Sequence, residues 1–114
     1  MRSDRFPYVE VVVTIGTWSN VIWAYIDTGF DGGLLLPARI GRGVYADPDY
    51  GPFRVADDYV LRVPCWPGTL ELNGTEYSVD VAAVGSRCLL GRQVTDNLTV
   101  CFERGKQVTI TNGE

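Results

Sequence analysis

The distribution of apolar and polar residues in the first third of the chain predicts three strands separated by turns. Residues 8–15 are dense in β-branched apolar side chains, which favour an extended backbone. A polar turn over residues 16–20 follows, and residues 21–26 are predicted to return as a second strand. Leu34–Leu36 is wholly apolar and is followed by Pro37, so we expect a short buried strand there.

The middle of the chain predicts a loop followed by a hairpin. Residues 41–52 are rich in glycine, proline and aspartate, and we expect them to form an irregular surface loop. Residues 53–55 and 59–63 are predicted to pair as the two arms of a hairpin, with residues 56–58 as its turn. Aspartate tolerates the positive φ of tight turns, so this turn does not require glycine.

A second hairpin is predicted after a break at residues 64–68, which contain two prolines and a glycine. Its arms are residues 69–72 and 75–84, and the turn between them is Asn73-Gly74. Asn-Gly flanked by apolar runs is the strongest short hairpin signal in this sequence, because both residues accept positive φ.

The last third predicts more short strands and one short helix. Residues 88–90 form a brief apolar strand, residues 92–98 are the only predicted helix, and residues 99–102 and 107–110 are predicted to pair as a final hairpin. Together these elements predict one all-β domain over residues 1–114, with a core large enough to fold without metal or disulfide.

Composition narrows the classes of function. The 114 residues are 46 % hydrophobic and 21 % charged, as in ordinary globular domains, and the net charge is −4. The basic residues are scattered, which argues against nucleic acid or an anionic membrane as a partner, because phosphate binding requires a concentrated basic face. No apolar run is long enough to span a bilayer and the N-terminus lacks a secretory signal, so we expect a cytoplasmic protein.

The absence of histidine restricts the chemistry further. Without histidine, this chain cannot supply a Ser-His-Asp or Cys-His mechanism. Cys65, Cys88 and Cys101 have neither zinc-type nor disulfide-type spacing, and we expect them to be small buried hydrophobic residues. We therefore expect no metal and no cofactor, and hydrolytic chemistry would have to come from carboxylates.

One segment carries a candidate site: the predicted strand 21–26 runs directly into Asp27-Thr28-Gly29, and the apolar strand Leu34–Leu36 follows a glycine-rich turn. This arrangement places a carboxylate at the end of a rigid strand. The triplet alone arises by chance in roughly 2 % of chains of this length. Asp27 as an ordinary turn residue is therefore a real alternative.

The context of the triplet resembles the active-site loop of the single-lobe, retroviral-type (retropepsin-like) aspartic proteases, particularly the bacterial-style members. Those members have Asp-Thr-Gly-Phe followed by an apolar run and proline, as residues 27–37 do here. A second match is Leu89-Leu90-Gly91-Arg92, where the family has two apolar residues and a glycine before a short helix. The resemblance covers residues 9–102 and implies a small closed or partly closed barrel with one short helix near residues 92–98.

The resemblance also implies roles for individual residues. Asp27 would be the catalytic carboxylate, Thr28 would form a hydrogen bond across a dimer, and Gly29 would contact bound peptide through its backbone. Asp31 would pair with Arg92, which follows Gly91, and so hold the loop to the helix; the alternative is two unrelated surface charges. The hairpin that would act as a flap has its tip at Ala56, Asp57 and Asp58, which departs from the family because no glycine is present.

Only one Asp-Thr-Gly is present, whereas this route of peptide hydrolysis requires two carboxylates. The resemblance therefore implies a homodimeric aspartic endopeptidase that acts on an extended peptide or unfolded protein, with Asp27 from each chain activating a water. Two alternatives stay open: a catalytically inactive retropepsin-like module for dimerisation or peptide binding, and an unrelated small β-barrel whose Asp-Thr-Gly is a turn. The C-terminal strands are predicted to form an ordinary hairpin, so interleaved termini of the retroviral kind are not implied.

Overall fold

A computed structural model describes residues 1–54 and 59–112. Most of these residues lie in strands, and two short helices interrupt them. In chain order the elements are β1 (Arg2–Ser3), β2 (Tyr8–Ile15), β3 (Trp18–Ile26), β4 (Leu34–Leu36), α1 (Ala38–Gly41), β5 (Asp49–Arg54), β6 (Val60–Leu72), β7 (Thr75–Ala83), β8 (Leu89–Leu90), α2 (Arg92–Thr95), β9 (Leu98–Glu103) and β10 (Gln107–Asn112).

Six of the described strands form a closed ring. The order β2-β3-β8-β4-β7-β6 returns to its start because β6 also pairs with β2, and β5 extends the sheet from β6. Alternate residues of β2 are buried, and these side chains fill the ring together with apolar residues of every other ring strand. The predicted all-β class is confirmed at this level, and the retropepsin type of the ring stays a prediction.

The first hairpin is tighter than predicted. Strand β2 has the predicted bounds, but β3 begins at Trp18 and not at residue 21, because Ile15 pairs with Trp18 across a two-residue turn. Trp18 is buried in the core, which explains why this end of the strand stays paired. The predicted Asn73-Gly74 turn is confirmed, with φ values of 54° and 79°.

The predicted break at residues 64–68 was wrong, because β6 continues through both prolines of this segment. Pro64 pairs with Tyr50 of β5 at a position where β7 has not yet joined, and Pro67 pairs with Asp80 of β7 before β2 joins at Thr69. At each proline β6 therefore has a neighbour on one side only. A missing N–H is tolerated at such edge positions.

The predicted loop over residues 41–52 is confirmed for residues 42–48 and was wrong at its two ends. Its first residue ends helix α1, and its last four belong to β5, which pairs with β6 in antiparallel register. Gly41 packs so closely against Ala83 that an added Cβ would have no room. This contact holds α1 against the ring. Helix α2 is shorter than the predicted 92–98, since its last residue is Thr95, and it is not the only helix.

A separate three-stranded sheet, ordered β1-β10-β9, packs Val108 and Ile110 into the common core. The hairpin of β9 and β10 was predicted, whereas β1 was not, since two residues carry no recognisable pattern. The prediction of buried cysteines was wrong for Cys101, which is exposed on β9; Cys65 and Cys88 are half-buried, and all three are free thiols. None of the helices in the described ranges is long and apolar enough to cross a membrane.

Candidate active site

Asp27 lies directly beyond the last residue of β3, as the sequence predicted. Its backbone N–H donates to the Leu90 carbonyl oxygen at 3.0 Å, which extends the parallel pairing of β3 and β8 by one residue. The backbone N–H of Gly29 donates to Asp27 Oδ1 at 2.9 Å. The main chain thus fixes both the position and the orientation of a half-buried carboxylate.

The other oxygen of this carboxylate is open. Among the described residues, Asp27 Oδ2 has no hydrogen-bond partner. The Thr28 hydroxyl likewise has no partner in the described ranges, and Thr28 and Gly29 are both exposed. The triplet therefore presents a carboxylate oxygen, a hydroxyl and a glycine backbone to whatever faces this end of the ring.

The second sequence motif lies against the loop after Asp27. The backbone N–H of Arg92 donates to Phe30 O at 2.8 Å, that of Gln93 to Gly32 O at 3.1 Å, and that of Gly91 to Gly33 O at 2.9 Å. These three hydrogen bonds join the first turn of α2 to the residues between Asp27 and β4. Segments about sixty residues apart in the chain thus form one unit.

Two glycines make this contact possible. A Cβ on Gly91 would overlap the carbonyl oxygen of Gly32 and lie 2.6 Å from a ring carbon of Phe30. A Cβ on Gly33 would lie 2.6 Å from the side-chain oxygen of Gln93 and 2.8 Å from the carbonyl oxygen of Asp80. Both glycines are therefore required by close backbone approach.

Asp31 and Arg92 are brought together, but loosely. Arg92 Nη1 lies 3.5 Å from Asp31 Oδ1, and the two side chains are 50 % and 91 % exposed. Arg92 Nε also lies 3.5 Å from Asp96 Oδ1. Exposed ion pairs of this length contribute little, so the backbone hydrogen bonds make the stronger connection between loop and helix. The structural role that the resemblance implies for this pair stays a prediction.

Gln93 makes a second connection, which was not predicted from the sequence. Its side-chain oxygen accepts the backbone N–H of Asp80 at 3.0 Å, and its side-chain nitrogen donates to Asp80 Oδ2 at 2.7 Å. Gln93 thereby ties α2 to β7 while its own backbone holds Gly32. No spacing rule links Gln93 to Asp80, although Gln93 directly follows the Gly91-Arg92 motif.

The two arms of the hairpin that was predicted to act as a flap pair with each other as β5 and β6, and the flap role stays a prediction. Arg54 pairs with Val60 and Phe53 with Leu61, in antiparallel register. The predicted tip, Ala56, Asp57 and Asp58, lies outside the described residues. Phe53 on β5 packs on Phe30 of the Asp27 loop, with ring centroids 6.2 Å apart. One arm of the hairpin therefore touches the candidate site directly, a contact that the sequence did not predict.

In this arrangement, each chain can present one oriented carboxylate, that of Asp27, next to the aromatic side chain of Phe30 and the hairpin of β5 and β6. Among the described residues, no group of His, Cys, Asp or Glu could hold a metal ion. No protein-family model and no curated protein matches this sequence.

Proposed function

We propose that this chain is one subunit of a homodimeric aspartic endopeptidase, in which Asp27 of each chain acts on a peptide bond. The observation that carries the proposal is the construction of the Asp27 loop. Its carboxylate is held at Oδ1 by Gly29 and open at Oδ2, and the loop is joined by three backbone hydrogen bonds to the distant Gly91-Arg92 motif. An Asp-Thr-Gly turn that arose by chance would not be expected to form these backbone hydrogen bonds with the second motif.

A second chain is required because one carboxylate cannot be acid and base at once. Two carboxylates ~4 Å apart repel by about 4 kcal/mol at an effective dielectric near 20, so the pair retains one proton over a broad acidic range. Such a pair titrates as a unit. A twofold axis next to the exposed Thr28 and Gly29 would bring the two open Oδ2 atoms together.

In the singly protonated pair, the ionised Asp27 takes a proton from water as the water oxygen attacks the scissile carbonyl carbon. The protonated Asp27 of the other chain donates its proton to the carbonyl oxygen. As the resulting diol collapses, the Asp27 that is now protonated donates its proton to the leaving nitrogen, the Asp27 that is now ionised takes a proton from a diol hydroxyl, and the carbon–nitrogen bond breaks. The pair is then singly protonated again. The Gly29 hydrogen bond keeps each carboxylate oriented throughout.

The substrate is an extended peptide. A hairpin such as β5 and β6 can lie over an extended chain and supply backbone hydrogen bonds while excluding water. Phe30 and Phe53 together form an apolar surface beside Asp27. We therefore expect a preference for apolar residues beside the cleaved bond.

The test combines assembly with turnover. Solution mass should correspond to two chains, and an unfolded protein such as casein should be cleaved at mildly acidic pH. Asp27→Asn should keep the dimer and lower cleavage by about a thousandfold, since it removes the acid-base pair. Asp47→Asn, an exposed acid without a described partner, is the matched control and should retain full activity.

The outcomes separate the alternatives. A dimer that binds an unfolded protein but never cleaves it would indicate a binding module. A monomer at every concentration, or equal cleavage by the wild type and Asp27→Asn, would contradict the proposal.

A further inference from the structure

A second candidate site lies near the start of β8, away from Asp27. A cavity of about 350 Å³ opens between α1, β3 and the residues that precede β8. Its apolar wall includes Tyr8, Val21, Trp23 and Ile40, and its rim carries Arg39 and Arg87. Val21 is 55 % exposed and Trp23 37 % exposed, so a substantial apolar area remains uncovered. A volume of this size is at the small end of the range for ligand pockets.

Stacking on aromatic rings holds two arginines at this surface. The guanidinium carbon of Arg87 lies 4.6 Å from the ring centroid of Tyr25, and that of Arg5 lies 4.6 Å from the ring centroid of Trp23. A guanidinium stacked on a ring keeps the N–H groups of its edge free. Arg5, Arg39 and Arg87 have no carboxylate partner among the described residues, so these donors are available to a ligand.

The local charge is opposite to that of the whole chain. The protein carries a net charge of −4, yet the residues lining this cavity include two arginines and no acid. Glu10, which pairs in register with Trp23, is the one acid placed next to the cavity wall by the β2–β3 register, and it forms no described ion pair. Cys88 also lines the cavity, and its burial raises the pKa of the thiol to about 12, so it adds no negative charge at neutral pH.

We propose that this pocket binds an acidic peptide segment in which a carboxylate is followed by an apolar side chain. The carboxylates of such a segment would pair with Arg39 and Arg87, whose planar forks fit carboxylate oxygens. The apolar neighbour would cover Val21 and Trp23. This site is distinct from the Asp27 loop and does not depend on the catalytic proposal.

Peptide fits the observations better than nucleic acid does. A nucleic-acid strand presents a phosphate at every nucleotide and is bound by a track of basic residues. Here the cations surround one small cavity, and most of the wall is apolar. A ligand that alternates carboxylates with apolar side chains complements both parts of that surface.

The experiment uses the full chain and a short blocked peptide of glutamate and leucine. A glutamine–leucine peptide of the same length is the control ligand. Binding is followed by the indole N–H signal of Trp23 in ¹H–¹⁵N spectra, assigned with Trp23→Phe; Trp18 and Trp66, which are 8 % and 4 % exposed, serve as internal references. We expect the acidic peptide to shift the Trp23 signal, the neutral peptide to leave it unchanged, and added salt to weaken binding.

Charge removal then tests the arginines. Arg39→Gln combined with Arg87→Gln should weaken binding at least tenfold. Arg104→Gln combined with Lys106→Gln removes the same charge from the exposed β9–β10 turn and should change it less than twofold. If the first double variant fails to fold, the salt dependence and the neutral-peptide control, both measured on the wild type, still test whether binding depends on charge.

Three results would overturn the proposal. The first is equal binding of the acidic and neutral peptides. The second is a peptide-induced change elsewhere with the Trp23 signal unmoved. The third is binding of single-stranded DNA or anionic vesicles at this surface with no binding of the acidic peptide. All three are independent of peptide cleavage, so the catalytic proposal can fail without affecting them.

Discussion

A candidate site lies beyond each end of the short parallel pairing of β3 with β8, and the two sites are built differently. At the far end, Asp27 and the loop after it are held by main-chain hydrogen bonds to Leu90, Gly91, Arg92 and Gln93. Near the start of β8, the cavity lined by Arg39 and Arg87, here called the cationic pocket, depends on side chains such as Arg87, which stacks on Tyr25. One site is built from backbone and the other from side chains.

This difference has energetic consequences. The Asp27 loop can lose a surface side chain cheaply, because its hydrogen bonds involve backbone atoms, but it has no room for an added Cβ. The cationic pocket has the opposite sensitivity, because it depends on side chains. An exposed cation–π contact contributes about 0.5–1 kcal/mol, so substitutions there should alter ligand binding with little effect on folding.

The largest expected effect is at the backbone-built site. Gly91→Ala would force a Cβ into the carbonyl group of Gly32, which is main chain and cannot move easily, and against the ring of Phe30. We expect a loss of about 3 kcal/mol in the free energy of unfolding, measured by urea denaturation, together with loss of cleavage. A change below about 0.5 kcal/mol would show that the loop is not closely packed.

Gly43→Ala is the matched control for this substitution. Gly43 is exposed, and an added Cβ would lie 3.4 Å from the nearest atom, the carbonyl oxygen of Ile40. We expect stability within about 0.5 kcal/mol of the wild type.

The sequence predicted the parts of the fold that depend on local pattern. Strand β2, strand β4 and the Asn73-Gly74 hairpin have the expected bounds or turn, because β-branched runs and positive-φ residues act over a few positions. The predicted break in β6 was wrong because proline is forbidden only where the strand is paired on both sides. Whether β6 is paired on both sides depends on which distant strands join it, and no local sequence pattern predicts this.

The same division holds for the candidate site. Asp27, Gly91 and Arg92 were expected from the two motifs that carry the family resemblance. Gln93 and its contact with Asp80 were not, since a side-chain hydrogen bond between distant segments leaves no spacing signature. The cationic pocket was missed for the same reason: Arg39 and Arg87, which line it, and Arg5, which stacks on Trp23, lie on three separate segments and were counted as scattered charges.

The next largest effect concerns Cys88, at the start of β8. Burial raises its pKa from the ordinary value of 9.0 to about 12, so at pH 8 far less thiolate is present in the folded than in the unfolded chain. In a Cys65→Ser, Cys101→Ser variant, iodoacetamide should label Cys88 roughly a hundredfold more slowly in buffer than in urea. The neutral thiol also favours folding below about pH 9, and this stabilisation should be lost as pH rises toward about 12.

Cys101 provides the comparison for this measurement. It is exposed, so in a Cys65→Ser, Cys88→Ser variant it should be labelled at nearly the same rate with and without urea. Equally rapid labelling of Cys88 in buffer would contradict the burial of its thiol.

A smaller effect is expected at Gln93, where side chains assist the backbone-built site. Gln93→Met removes two hydrogen bonds to Asp80, and since both residues are exposed, water replaces them in part. We expect a loss of about 1 kcal/mol in stability and about a fivefold decrease in kcat with KM little changed. Gln93→Glu should cost more, because it places a second carboxylate beside Asp80.

The Gln93→Glu variant contains its own control. Adding Asp80→Asn restores a donor opposite the new carboxylate and should recover most of the stability and activity. If the double variant stays as impaired as Gln93→Glu alone, repulsion by Asp80 is not the cause.

The smallest effect is expected where the family resemblance emphasised a specific pair. Asp31→Asn removes an ion pair of 3.5 Å whose acid is 91 % exposed, and it leaves Arg92 free to contact Asp96. We expect a change of less than about 0.5 kcal/mol in the free energy of unfolding and less than about twofold in cleavage. Both should be measured at low and at moderate salt. A loss above about 1 kcal/mol that vanishes with added salt would mean that the ion pair, and not the backbone bonds of Gly91, Arg92 and Gln93, holds the helix against the Asp27 loop.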